Sequence, residues 1–222
     1  MIPCLAVFMR EGENVIPTAI LNLELIRETL QKFHSEQKHT NQHFQDTAST
    51  LRETVLYGYD YFSLEENNQT FTLIPDYIQT LCQACIDAFG NQHCLGEAQD
   101  YKNIIISLFK PGYQLEAHTD VASGDQFSDN TIQKPANFYF GDRIIGVILE
   151  VDEEGRFYLL ESDSDTYPVK GRLLFELDEK QGLTYLICDR FRRRPFYHGV
   201  SKVKRFRMSV TFRTVHLLAS EA

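Results

Sequence analysis

The chain contains no tryptophan, carries no excess of positive charge, and has an odd number of cysteines, five. Each lack excludes something. With 16 Phe and 11 Tyr but no Trp, the 222 residues must build their core from Phe and aliphatic side chains. The length usually means one domain, and 43% hydrophobic with 24% charged residues is enough to bury a core rather than stay disordered. Lys and Arg number 22 against 31 Asp and Glu, a net charge of -9. A general nucleic-acid binder shows a basic surface, so nucleic acid is possible but not a favoured partner. No apolar run reaches the roughly 18 residues of a membrane span. The short apolar run near the N-terminus has no basic region before it, so a signal peptide is not expected and the chain reads as cytoplasmic.

Cys4, Cys82, Cys85, Cys94 and Cys188 give no sign of a disulfide framework. Cys82, Cys85, His93 and Cys94 place four potential zinc ligands within 13 residues. Adjacent His93 and Cys94 depart from zinc-site spacing, so reduced, partly buried thiols are the preferred reading and zinc the minor one.

The first hundred residues read as two helices with an early strand. Residues 3–9 look like that strand. Residues 17–33 carry Ile20, Leu23, Ile26 and Leu30 at roughly helical spacing, and the polar residues 34–48 read as a loop. Residues 76–90 read as a second helix stopping near Gly90. The second half alternates strands and turns: 104–109, then Pro111-Gly112; a hairpin of 143–151 and 156–162; then 172–177, 182–188, and a last strand through Arg213. Seven or so strands in roughly 110 residues suggest a sandwich or jelly roll. The expectation is a single domain over 1–222. Residues 1–100 form a helical and strand support region, and residues 101–215 a jelly-roll catalytic core.

Chemistry concentrates in that core. His118 and Asp120 sit at i and i+2, so in a strand they share a face. His198, at the end of a strand-like segment, is the best third ligand. Two histidines and one carboxylate are the facial set that suits Fe(II) and leaves positions open to a cosubstrate and oxygen. Alone, such a pair is also compatible with an ordinary polar strand end. His34, His39, His43 and His93 lie in polar surroundings and read as surface residues; His216 has no obvious role.

From 207 to 213 the chain alternates: Arg207, Ser209, Thr211 and Arg213 on one face, Met208, Val210 and Phe212 on the other. If the polar face lines a pocket, Arg207 can grip a carboxylate bidentately, with Ser209 adding a hydroxyl. Alternatively the face is solvated, or Arg207 pairs with an internal Asp or Glu.

Taken in order, these pieces resemble the 2-oxoglutarate and Fe(II)-dependent dioxygenase superfamily. Pro111-Gly112-x-x-Leu115-x-x-His118-x-Asp120 is similar to the approach to the metal strand in AlkB-type members. Pro168-x-x-Gly171-x-Leu173-Leu174-Phe175 is similar to the stretch before the distal histidine in prolyl-hydroxylase-like members. Arg207-x-Ser209, nine residues after His198, resembles the pattern of the branch holding small-molecule and plant-hormone oxidases. The longer run through Thr211 and Arg213 resembles the AlkB-type ending. The resemblance covers about residues 101–215.

It implies a mainly β fold with flanking helices, a double-stranded β-helix or jelly roll. It implies iron on His118, Asp120 and His198, and 2-oxoglutarate held at its distal carboxylate by Arg207 with Ser209 or Thr211. Arg213 would lie near the metal carboxylate and the substrate. One departure is Phe109, where AlkB-type members carry a Tyr that helps bind the cosubstrate; Tyr101 and Tyr113 are the candidate replacements. The implied partners are 2-oxoglutarate, oxygen and an organic substrate. A small molecule or amino acid fits the acidic composition. A protein side chain fits the hairpin and the Pro168 stretch, and an alkylated nucleobase fits the AlkB-type frames. A non-enzymatic module keeping a relic triad is the reading outside catalysis. The insert 121–142, with Phe138, Tyr139 and Phe140, reads equally as a lid or a surface excursion. The four arginines within 190–194 could draw in an anion or be a solvated loop.

Overall fold

A computed structural model of the chain describes residues 16–40, 45–46, 51–59, 71–120, 138–152, 156–164, 166, 168–188 and 195–217. The expected strand at 3–9, His43, residues 121–137 of the insert and the arginines of 190–194 lie outside the described residues.

Twelve strands and two α-helices are described. The first half contains β1 (Thr18–Ile20), α1 (Leu23–Thr40), β2 (Gln45–Asp46), β3 (Arg52–Tyr59), β4 (Phe71–Thr72) and α2 (Asp76–Phe89). The second half contains β5 (Tyr101–Phe109), β6 (Leu115–His118), β7 (Phe138–Asp152), β8 (Phe157–Glu161), β9 (Arg172–Glu176), β10 (Leu183–Cys188), β11 (Phe196–Val200) and β12 (Phe206–Leu217). They form two sheets, with every described pairing antiparallel. The larger has eight strands, in the order β1-β10-β7-β12-β5-β3-β2, with β4 on β3; the smaller has four, in the order β6-β11-β8-β9. The architecture is the expected jelly roll with a few flanking helices.

Side-chain alternation builds two cores from the large sheet. Ile145, Val147 and Leu149 of β7, with Met208, Val210 and Phe212 of β12, pack against Ile26 and Phe33 of α1 and Ile78, Leu81 and Cys85 of α2. The intervening Ile144 and Ile148 turn to the other side, where they meet Phe157, Leu159 and Phe196 of the small sheet. A strand covered on both faces reads as a continuous apolar run, as β7 does.

Three expectations need correction. The helix expected over 17–33 is a strand followed by a helix. Thr18 and Ile20 pair with Tyr185 and Leu183 on β10, and Asn22 then caps α1 by accepting the Glu24 N–H at 2.8 Å. The polar stretch expected as a loop is helical as far as Thr40. Its Gln, Lys and Glu residues are good helix formers, and polarity marks the solvent face of a helix as readily as a loop. The expected hairpin of 143–151 and 156–162 is two strands in different sheets. β7 pairs with β10 and β12, whereas β8 pairs with β9 and β11. Turn residues announce a change of direction; they do not name the partner strand.

The helix over Asp76–Phe89 ends as expected, at Gly90 with φ 74°. Cys82 and Cys85 lie mid-helix and buried, and Cys94 is exposed. Burial pushes the Cys85 thiol up to about 12, and Cys82 also rises through burial. Protonated, enclosed thiols are poor zinc ligands and poor nucleophiles. The four residues do not converge as a metal cluster among the described residues. Alkylation of the native protein followed by peptide mapping is expected to mark Cys94 and spare Cys82 and Cys85 until the chain is unfolded. Equal labelling of all three would contradict the packing of α2. No described helix is long and apolar enough to cross a membrane.

Candidate metal centre

The two sheets enclose a cavity of about 300 Å³, with the small sheet's histidines on one wall and the polar face of β12 on the other. His118 ends β6 and His198 lies on β11. The two are directly opposed across the antiparallel pair, with ring centroids 4.5 Å apart. Gly199 permits this approach: a Cβ there would lie 2.5 Å from both the Leu115 carbonyl and the Tyr158 hydroxyl. Asp120 follows two residues after His118. Its Oδ1 is 3.7 Å from Nε2 of His118 and its Oδ2 is 3.5 Å from Nε2 of His198.

One ligand atom from each of the three residues lies within 4.8 Å of the others, and no other group of three or more such residues meets this condition among the described residues. The donor chemistry fits a divalent first-row ion. Nδ1–H of His118 donates to the Glu116 carbonyl at 2.9 Å, which leaves Nε2 its lone pair. Desolvation, then the neighbouring His198, push the His118 imidazole down to about 4, so it stays neutral and ready to ligate. Burial alone would raise the Asp120 carboxyl; the Arg213 guanidinium and the two imidazoles outweigh it and hold it well below the usual range. Two imidazoles on paired strands and a carboxylate two residues past the end of β6 form the set that suits Fe(II).

The alternation read from 207 to 213 is the one observed. Arg207, Ser209, Thr211 and Arg213 line the cavity, and Met208, Val210 and Phe212 face the helices. Nη2 of Arg213 donates to Oδ2 of Asp120 at 3.0 Å. Arg207 has an internal partner. Its Nε and Nη2 donate to the two oxygens of Glu179 at 2.7 Å each, and Nη1 donates to Ser209 Oγ at 2.8 Å. Glu179 stands between β9 and β10; an internal acid was one of the readings open for Arg207, but Glu179 itself was not singled out.

Neither was Arg52, on β3, nor Tyr185, on β10; both line the cavity. Thr54-Val55-Leu56 is a local strand signal, but nothing in it ties Arg52 to the second half of the chain. Of the two tyrosines considered in place of the one missing at Phe109, Tyr101 is remote. It lies in the helix-side core and donates to the Leu95 carbonyl at 3.0 Å. Tyr113 packs against Phe109 with its ring tilted by 51° and the centroids 4.8 Å apart. Tyr185 crosses directly over Gly146, where an added Cβ would fall 2.1 Å from the ring. Gly146→Ala is therefore expected to evict the ring and cost about 1–3 kcal/mol by overpacking, measurable as a fall in the urea midpoint. An unchanged midpoint would mean the ring can yield.

No protein-family model matches the chain, and no curated protein matches it. Solved structures do. A prolyl-4-hydroxylase from Pseudomonas putida superposes with a TM-score of 0.51 at 14% identity over 88% of each chain. A prolyl hydroxylase from Trichoplax adhaerens, in complex with an oxygen-degradation-domain peptide of hypoxia inducible factor, gives 0.52 at 12% identity, over 89% of this chain and 82% of that one. The chain shares its fold with these two prolyl hydroxylases. At such identities the likeness concerns the fold, and the site must be judged on its own atoms. Here the two histidines and one carboxylate that could hold a metal ion lie between the sheets of this fold.

Proposed function

We propose that this protein is an Fe(II)- and 2-oxoglutarate-dependent dioxygenase that hydroxylates a small molecule or an amino acid. The observation that carries the reading is the convergence of His118, Asp120 and His198 in a cavity whose facing wall is lined with arginines and hydroxyls. When bound, iron and 2-oxoglutarate supply the oxidising chemistry, which inserts an oxygen atom into a C–H bond.

The chain's own residues hold, orient and exclude. His118, Asp120 and His198 would grip iron on one side and leave its other side to the cavity. Arg213 keeps the Asp120 carboxylate ionised and oriented. Arg207, Ser209 and Thr211 form the polar wall to which the distal carboxylate is directed. Ile105, Ile144, Phe157 and Ile187 close the cavity with apolar surface and limit water. At about 300 Å³ the space is at the small end for ligand pockets, which suits a compact substrate group beside the cosubstrate.

A second reading, hydroxylation of a protein side chain, is favoured by the fold neighbours, both prolyl hydroxylases and one with a peptide bound. Nucleobase demethylation has less support, since Phe109 cannot offer the hydroxyl that its AlkB-type counterpart contributes. Succinate formation by iron-loaded protein, screened across amino acids, peptides and methylated nucleosides, tests all three. Intact, iron-loaded protein that neither binds 2-oxoglutarate nor turns it over with any candidate would end the dioxygenase reading.

A further inference from the structure

The two histidines of the metal centre are held in different ways. A hydrogen bond fixes the His118 ring, from Nδ1–H to the Glu116 carbonyl at 2.9 Å. Nδ1 of His198 is buried and has no hydrogen-bond partner among the described residues. A histidine that ligates a metal through one ring nitrogen almost always donates the N–H of the other, and that bond sets the plane of the ring. His198 lacks it, although it is the more enclosed of the two, with its side chain 6% exposed against 36% for His118.

Aromatic surface stands where that bond would be. The Phe157 ring stacks on the His198 imidazole, with an interplanar angle of 25° and centroids 5.7 Å apart. The two come from paired strands. Leu159 is opposite His198 and Phe157 is opposite Val200, so Phe157 and His198 are diagonal neighbours across β8 and β11. Phe157 packs in turn on Tyr185, at 4.6 Å and 33°. Tyr185 belongs to β10, in the other sheet, and its ring crosses Gly146 on the paired strand β7. A column of rings therefore runs from the backbone of the large sheet, at Gly146, to the metal ligand in the small one. Both rings of the column are buried.

The column matters because of how an imidazole turns. Rotation about χ2 of a histidine is a broad torsion with no sharp staggered wells. Packing or a hydrogen bond must choose the angle. A flat ring alongside restricts that rotation, whereas an aliphatic side chain of similar bulk offers no plane to match.

We propose that Phe157 is a positioning residue for the metal: its ring, backed by Tyr185 over Gly146, sets the plane of the His198 imidazole in place of the missing hydrogen bond. The inference rests on the metal-centre reading above. It gives Phe157 a task beyond closing the cavity.

Co(II) is the probe, because it takes nitrogen and oxygen ligands as Fe(II) does and its visible absorption reports their arrangement. Metal-free protein is titrated with Co(II). Phe157→Leu is expected to bind it about 10-fold more weakly than wild type, the lower end of the loss when a ligand's orienting partner is removed. The visible spectrum of its Co(II) form should also change. Leu149→Ala is the control for lost stability alone. It opens the helix-side core, away from the column, and should lower the urea midpoint while keeping wild-type Co(II) affinity and spectrum. Tyr185→Leu removes the ring behind Phe157 and carries the test if Phe157→Leu does not fold; its Co(II) affinity and spectrum should change in the same direction.

Wild-type Co(II) affinity and spectrum in folded Phe157→Leu, or in Tyr185→Leu where the first variant does not fold, would overturn the assignment. An equal loss in Leu149→Ala would overturn it too, since lost stability would then be enough. If wild type itself takes up no Co(II), the metal-centre reading fails and this inference falls with it.

Discussion

Asp120→Ala is expected to strip the protein of iron and of any turnover of 2-oxoglutarate. The substitution removes the anionic ligand of the three and leaves two imidazoles to hold a divalent ion. Loss of a partner that merely orients a metal ligand costs 10–100-fold in affinity. Loss of the ligand itself should exceed about 100-fold. The same carboxylate accepts from Arg213 at 3.0 Å, so the variant also places a like charge beside the ion's position without its counter-charge. Asp120→Asn keeps the shape and an acceptor oxygen but not the charge, and should be impaired nearly as much. Metal content of protein reconstituted anaerobically with Fe(II), read by elemental analysis, decides the matter. Normal iron content in Asp120→Ala would count against the triad, whatever the activity.

Arg207→Ala should unfold more easily than any other substitution considered. It leaves the Glu179 carboxylate, 2% exposed, without its bidentate partner. Breaking a buried ion pair from one side costs about 3–5 kcal/mol, because the stranded charge must be neutralised or rehydrated. Total stabilities run to roughly 5–15 kcal/mol, so this is a large share of the whole. Burial disfavours the charge on Arg207, and the Glu179 carboxylate more than offsets it, raising the guanidinium above its ordinary value.

Removing both partners should behave differently. Arg207→Met combined with Glu179→Leu strands no charge and is expected to recover most of the loss, as apolar replacements of buried pairs commonly do. Urea unfolding of the two single variants and the double one gives the coupling directly. Additive losses would show that the pair is not the source of the effect. Arg207→Ala that folds is expected to keep its iron, since it touches none of the three ligands. That variant is expected to show a sharply raised 2-oxoglutarate requirement; unchanged 2-oxoglutarate affinity would remove Arg207 from cosubstrate binding.

Local periodicity carried much of the fold. The helix at Asp76–Phe89 was legible because its apolar spacing and Gly90 are both short-range signals. The alternation from Arg207 to Arg213 was legible because a strand's period of two divides its faces regardless of context. The first helix was misplaced because Ile20 fits a helical pattern and a strand equally well; pairing of Thr18–Ile20 with β10 decided the matter. The false hairpin failed for the same reason, since strand partners are chosen by the whole sheet.

The chain by itself determined a jelly roll with flanking helices, and the candidate metal set His118, Asp120 and His198. Those features depend on residues close in sequence, or on an order and spacing that few other folds share. Only the tertiary structure decided who meets whom across the cavity. It brought Arg52 from a strand near the N-terminal end into one row with Phe109 and Arg207, and it gave Arg207 the carboxylate of Glu179, 28 residues away. An arginine on a strand face shows that a negative group belongs opposite it. Whether that group comes from the protein or from a ligand depends on side chains that only folding brings within about 3 Å.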